Sequence, residues 1–280
     1  MKKNFSHGQF SENISEGKDF SRRPGFKNRF DKKGFWGRVR RTIAGSNVVL
    51  EIIDARFPEQ TRNKRIENIA RRNKKKVIVV FNKVDLIGTE NARKAAQEMD
   101  LKKETVFVSC TEKTGTAKLR KAIFEASRGK SVKVSVVGYP NTGKSSVINL
   151  LKGRKTMRTS STAGFTKGEQ YARVSEKILL IVTPGVIPLT EMDETSLALI
   201  GARSPGQLQE PELAAEKLVK LLQGRGKEEI CGVKIKGLDT EKAMEEIALR
   251  KGKLKKGGLP DVKAASKMLL LDWQKGKKNL

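Results

Sequence analysis

The sequence is poor in the residues that do most acid–base and metal chemistry. It has one histidine, His7, and two cysteines, Cys110 and Cys231, far apart in the chain. A single histidine excludes Ser-His-Asp catalysis and histidine-rich zinc sites. Two distant cysteines give neither a disulfide framework nor a CxxC metal site. A reducing compartment therefore fits, and cytoplasmic residence is expected, with nucleolar or organellar residence left open for a eukaryotic chain. There is no apolar run of about 18 residues, so no membrane partner is expected. The N-terminus lacks an apolar core segment, so no secretory signal is expected either. Acidic residues are also scarce. Against 59 Lys and Arg stand 31 Asp and Glu, a net charge of +28 with a pI near 10.2. The basic residues run through the whole chain. That balance favours a polyanion partner, most often nucleic acid. A salt-adapted or thermophilic surface is the competing reading, but such surfaces usually balance their signs.

What is present, in 280 residues with 37% apolar content, is enough for one large domain and a smaller one. Residues 1–34 are polar and basic with scattered aromatics (Phe5, Phe10, Phe20, Phe26, Phe30) and no sustained period, which reads as a disordered arm. The arm either stacks on RNA or is a passive tail. From residue 35 to 203, short β-branched runs alternate with helical stretches. The strand candidates are 47–53, 77–81, 106–108, 132–137, 171–174 and 178–182. Helical patterns cover 61–73, 90–99 and 118–127. Continuous apolar runs suit strands buried on both faces of a mostly parallel sheet. Residues 204–280 switch to helices at 211–223, from a cap at Asp239 or Thr240 to Lys251, and from Asp261 onward. This region reads as a helical RNA- or ribosome-binding domain.

Two motifs carry the chemistry. Gly138-Tyr-Pro-Asn-Thr-Gly143-Lys144-Ser145 fits GxxxxGK[ST], with a strand before it and a helix after it. Backbone N–H groups from Gly138 through Asn141, Thr142, Gly143, Lys144, Ser145 and Ser146 would cradle phosphates at a helix N-terminus. Lys144 would reach the β- and γ-phosphates, and the Ser145 hydroxyl would ligate Mg²⁺. The second motif, Asn82-Lys83-Val84-Asp85, follows the 77–81 strand, at the sheet edge where ligands bind in open α/β folds. The Asp85 carboxylate can accept from guanine N1–H and its 2-amino group. Adenine offers neither donor, so it would leave a buried carboxylate unpaired. Asn82 can tie this loop to the phosphate loop. Ser109 and Cys110, after the next strand, can offer a backbone N–H to guanine O6. Downstream, Thr166 is a candidate second Mg²⁺ ligand. Pro184 and Gly185 end the last strand, where the Gly185 N–H can sense a γ-phosphate.

In an ordinary small GTPase the phosphate cradle precedes the base reader; here it follows. Cutting such a fold between its γ-phosphate sensor and its base reader, and joining the old ends near residues 127–132, gives the order found. The expected fold is an α/β P-loop GTPase three-layer sandwich with circularly permuted motifs (G4-G5-G1-G2-G3), plus a small C-terminal helical domain. A P-loop ATPase or kinase is disfavoured by Asp85.

Asp54-Ala55-Arg56, NKVD, GYPNTGKSS, AGFTKG and TPGVI, in that order, resemble the circularly permuted GTPases of the YlqF/RbgA type and their nucleostemin-like relatives. The resemblance covers roughly residues 36–278. It implies a GTPase in assembly of the large ribosomal subunit, with GTP and GDP, rRNA and the subunit precursor as partners; a monomer is expected. It also implies Lys144, Thr166 and Gly185 as the residues acting on the γ-phosphate. One position departs: the family's DTPG reads Val182-Thr183-Pro184-Gly185 here, so the carboxylate that orients Mg²⁺-bound water is missing. Val186 sits where Ras-like enzymes place a water-orienting Gln. Hydrolysis is thus expected to be slow and to draw on RNA or ribosomes; the alternative is a hydrolysis-poor, RNA-docked placeholder. Asn141 matches the position that binds K⁺ in potassium-stimulated relatives; it is otherwise a turn residue after Pro140. Asp54 and Arg56 either contact the nucleotide face or close a strand-end turn, the second being favoured. Residues 251–258 are an RNA-phosphate clamp or a solvated loop. Trp273 is expected in a core rather than as a base-stacking platform.

Overall fold

The computed structural model describes residues 32–101, 105–153, 170–182 and 192–277. They fall into two compact units, which divide between Pro188 and Leu189.

The first unit is built on a six-stranded sheet. Its strands are β1 (Val48–Asp54), β2 (Lys76–Asn82), β3 (Thr105–Val108), β4 (Val132–Val137), β5 (Gln170–Arg173) and β6 (Ile178–Val182), ordered β3-β2-β1-β4-β6-β5. All neighbours pair in parallel except β5 with β6. The helices are α1 (Lys32–Ala44), α2 (Pro58–Thr61), α3 (Lys64–Arg72), α4 (Thr89–Glu98), α5 (Thr116–Ala126) and α6 (Lys144–Lys152). Side chains alternate across a strand, so each run of β-branched residues feeds two cores. Val48, Leu50 and Ile52 of β1 meet Leu119 and Ile123 of α5 and Val147, Ile148 and Leu151 of α6. Val49 turns the other way, to Trp36, Val39 and Ile43 of α1 and Ile66, Ile69 and Ala70 of α3. Ile53, on that same face, meets Ala92, Ala95 and Ala96 of α4. The result is a helix–sheet–helix sandwich.

Three local expectations need correction. A helix already begins at Lys32, inside the expected arm. Trp36, Val39 and Ile43 form an apolar stripe that packs on the sheet, and such a stripe outweighs the high local charge. Residues 1–31 lie outside the described residues. The single helix expected over 61–73 is two, because the Asn63 side chain caps the second by accepting from Ile66 N at 3.0 Å. The boundary expected after residue 203 moves upstream. Helix α7 (Glu194–Leu199) belongs to the C-terminal unit, where Trp273 Nε1 donates to Leu199 O and Gln274 Nε2 to Ala198 O, both at 2.8 Å.

The second unit adds α8 (Pro211–Gly224), α9 (Thr240–Arg250) and α10 (Val262–Lys275). Asp239 and Asp261 cap α9 and α10 through their carboxylates. A hairpin that the helical reading missed pairs β7 (Glu229–Ile230) with β8 (Val233–Lys234), turning at Cys231 and Gly232, both with positive φ. Two-residue turns of that kind need this backbone conformation. Trp273 is buried, in the core as expected.

Candidate nucleotide site

The carboxyl ends of β2, β3 and β4 lie side by side across the sheet, with β1 between β2 and β4. The loops that leave them bring the two motifs together. Asn82, the last residue of β2, is buried, and its Nδ2 donates to Thr142 O in the phosphate loop at 2.8 Å. Residues 60 positions apart in sequence are thereby joined. Gly143 makes this approach possible. A Cβ there would lie 2.1 Å from Asn82 Nδ2, and its φ of +94° suits glycine. At Gly138 a Cβ would meet Ile52 O at 2.4 Å, so the loop entry also runs against β1.

The phosphate loop is closed on itself. Thr142 Oγ1 donates to Tyr139 O at 3.0 Å. Lys144 Nζ donates to Gly138 O at 2.9 Å and Tyr139 O at 2.6 Å. Burial pushes this ammonium down to about 7. Its two carbonyl partners are neutral, so an anion brought to the loop would be its first charged ligand. Gly143 stands at the N-cap of α6, and Ser145 and Ser146, both half-buried, lie in the first turn, where N–H groups lack helical partners. Asn141 takes a left-handed conformation, φ 59°, as a turn residue does.

The base-reading loop is braced from two sides. Ser109 Oγ donates to Asp85 Oδ1 at 2.7 Å and accepts from Glu112 N at 3.0 Å, so the loop after β3 holds one carboxylate oxygen. Cys110 Sγ donates to Asn82 Oδ1 at 3.3 Å. Burial, assisted by Asp85, pushes that thiol up to about 12, so it stays protonated. On the other side stands a network whose extent was not legible in the sequence. Asp54, fully buried at the end of β1, accepts from Arg56 N and Nε at Oδ1 and from Arg56 Nη2 at Oδ2. Its Oδ2 also accepts from Lys83 Nζ at 2.8 Å. Burial alone would push the Asp54 carboxyl up, but Arg56 and Lys83 override it and hold it well below the carboxylate range. Lys83 is itself left-handed, φ 64°, and pushed down by burial, which the pull of Asp54 offsets only in part. Asp54 thus closes its own strand-end turn and also grips the Lys of NKVD. The only signal in the sequence was a strand ending in an acid–base pair.

Val182 ends β6 beside Val136 and is buried in the apolar cluster of β4 and α6. Thr166, Pro184, Gly185 and Val186 lie outside the described residues.

Residues 133–229 match the family described as 50S ribosome-binding GTPase. An uncharacterized GTP-binding protein of Methanocaldococcus jannaschii is 36% identical over 247 residues, covering 86% of this chain and 65% of that protein. Nucleolar GTP-binding protein 2 of Pneumocystis carinii is 31% identical over 289 residues, 99% of this chain and 58% of that protein. The chain therefore spans about three-fifths of the length of these relatives. A crystal structure of GNP-bound YlqF from Thermotoga maritima superposes with a TM-score of 0.62 at 23% identity, covering 87% of this chain and 94% of that one. The GDP-bound form gives the same TM-score. That likeness is one of fold.

Proposed function

We propose that this chain, a circularly permuted GTPase of the YlqF type by fold and motif order, binds GTP and hydrolyses it slowly while acting in assembly of the large ribosomal subunit. The observation that carries the nucleotide reading is the Asn82–Thr142 hydrogen bond, which joins base reader and phosphate cradle into one site despite their reversed order. Asp85, with one oxygen fixed by Ser109, reads guanine. The main-chain N–H groups of 141–146 and Lys144 take the phosphates. The ribosomal reading is supported by the net charge of +28, by the matched 50S ribosome-binding family and by the nucleolar GTP-binding relatives.

The site fits Mg²⁺. The close approaches at Gly138 and Gly143 leave no room for a Cβ at either glycine of the loop, and Ser145 carries its hydroxyl in the first turn of α6. Ser145 and Thr166 would hold the ion, which would supply charge neutralisation to the bound phosphates. Asn141 would hold K⁺. Val182 favours a second reading, in which the chain hydrolyses GTP poorly and acts as a GTP-bound, RNA-docked placeholder.

GTP turnover measured in K⁺ and in Na⁺, with and without large ribosomal subunits, tests both. Stimulation by subunits supports the slow enzyme. Tight GTP binding with turnover that subunits leave unchanged supports the placeholder. Equal affinity for GTP and ATP would sink the guanine reading.

A further inference from the structure

Charge is not distributed alike over the helices of the first unit. On α4 and α5, exposed Arg93, Lys94, Lys118 and Lys121 are interleaved with exposed Glu90, Glu98 and Glu125. The surface of the α1–α3 helix pair lacks this mixing. Arg38, Arg40 and Arg41 of α1, Arg71 and Arg72 of α3, and Lys74 in the turn after it are all exposed. None of the six takes part in an ion pair among the described residues. The nearby Glu67 is already taken by Arg62. The two helices are neighbours: they share one core, and the Arg65 guanidinium lies 3.9 Å from the centroid of the Trp36 ring. The cations therefore stand on a rigid pair of helices rather than on loops.

Leaving so many like charges unpaired on one surface costs self-repulsion, which an anionic partner removes. Five of the six are arginines, whose planar fork suits phosphate oxygens. Among the described residues the exposed large apolar side chains are Phe124, Tyr171, Leu213, Leu249, Leu254 and Leu259, and none of them lies on α1 or α3. A protein partner would be expected to find an apolar or aromatic centre; among the described residues of this face none is exposed. We infer that the α1–α3 face of the GTPase unit is a docking surface for the phosphate backbone of duplex RNA, separate from the basic C-terminal unit. The inference rests on the RNA partner of the proposed function and assigns the GTPase unit its own share of that binding.

The test uses the full chain and a 20-base-pair RNA duplex of mixed sequence, with binding followed against salt concentration. Changing Arg40, Arg41, Arg71 and Arg72 to Gln should flatten the slope of log K against log salt. By the duplex rule the flattening is about 0.9 for each phosphate that is no longer neutralised, so about 3 or more in all. Binding at 0.1 M salt should fall at least tenfold, with GTP affinity and melting temperature unchanged. A comparison variant changes Lys251, Lys253, Lys255 and Lys256 to Gln. If only that variant weakens duplex binding, the RNA reading stands and the α1–α3 inference is overturned. If the unaltered chain binds no duplex, the RNA reading itself fails and the inference goes with it. If the arginine variant keeps its duplex affinity but loses polyglutamate binding, the face serves an acidic polypeptide and the inference is likewise overturned. Should the fourfold variant unfold, the exposed pair Arg40→Gln and Lys74→Gln is expected to flatten the slope by about 2 on the same rule, and an unchanged slope overturns the inference.

Discussion

Asp85 gives one oxygen to Ser109, and its other oxygen makes no hydrogen bond among the described residues. Asp85→Asn turns an acceptor into a donor facing guanine's donors. GTP affinity is expected to fall by at least about 2 kcal/mol, the scale of an unmet buried polar group, while ATP affinity changes little. Competition between labelled GDP and each nucleotide measures this. Asp54 holds Lys83 in the loop that carries Asp85. Asp54→Asn leaves Arg56 and Lys83 without their buried counter-charge. Breaking a buried pair from one side costs about 3–5 kcal/mol of stability. Guanine nucleotide affinity should drop with it by about tenfold, or 1.4 kcal/mol, because the left-handed Lys83 loses its anchor. A lowered melting temperature with unchanged GDP affinity would limit Asp54 to a structural role. Val182→Asp places a carboxylate among Val136 and its apolar neighbours. Without a cation it should destabilise the chain; with Mg²⁺ and GTP it should recover more melting temperature than the unaltered chain does. Equal shifts in both proteins would show that no metal reaches that position. The closeness of the phosphate and base motifs was legible, because each follows a strand of one parallel sheet. The Asp54–Lys83 pair was not, since it joins residues 29 apart that only the β1–β2 pairing brings together.

At the scale of elements, the strands were legible nearly to the residue. Runs such as VIVVF and ILLIV have no other stable use in a sandwich buried on both faces. Helix α1 was hidden under its own charge, since only its three-residue stripe of Trp36, Val39 and Ile43 speaks for packing. Within β1, Glu51 breaks the apolar run and is fully buried. Its Oε1 accepts from Asn63 N at 2.6 Å, and its Oε2 has no partner. Burial, and secondarily the charge of Glu67, push its carboxyl up to about 8 from an ordinary 4.5. Between those values the folded chain holds a proton that the unfolded chain has released. Stability from this group is therefore fully present below about pH 4.5 and is lost as pH rises through 8. Glu51→Gln keeps the acceptor for Asn63 and cannot ionise. Urea midpoints between pH 5 and 9 should decline more in the unaltered chain than in the variant. The expected difference is at least about 1.4 kcal/mol, the worth of one tenfold change in proton affinity. Parallel curves would mean that Glu51 stays ionised in the fold.

For the whole molecule, the division of labour depends on where the chain is cut. Residues 192–203 look from the sequence like an extension of the nucleotide-binding unit, yet they pack as part of the helical one. Leu197, Ala198 and Leu199 are buried there, and Gln274 Nε2 donates to both Ala198 O and Arg203 O at 2.8 Å. Deleting everything after Arg203 removes those partners and leaves α7 with an uncovered apolar face, so that fragment is expected to aggregate. Deleting everything after Pro188 leaves the sheet, both of its helical layers and the Asn82–Thr142 link intact, so GDP affinity should stay within about threefold, or 0.7 kcal/mol. RNA binding should weaken strongly, because the basic C-terminal unit is gone, and the salt slope should decline by about 0.9 for each duplex phosphate that this unit neutralised. A residual slope should remain from the α1–α3 face. If the Pro188 fragment binds large subunits at moderate salt as firmly as the full chain, the helical unit is not the main docking module. If it loses GDP as well, the two units share the nucleotide site and cannot be assigned separate tasks.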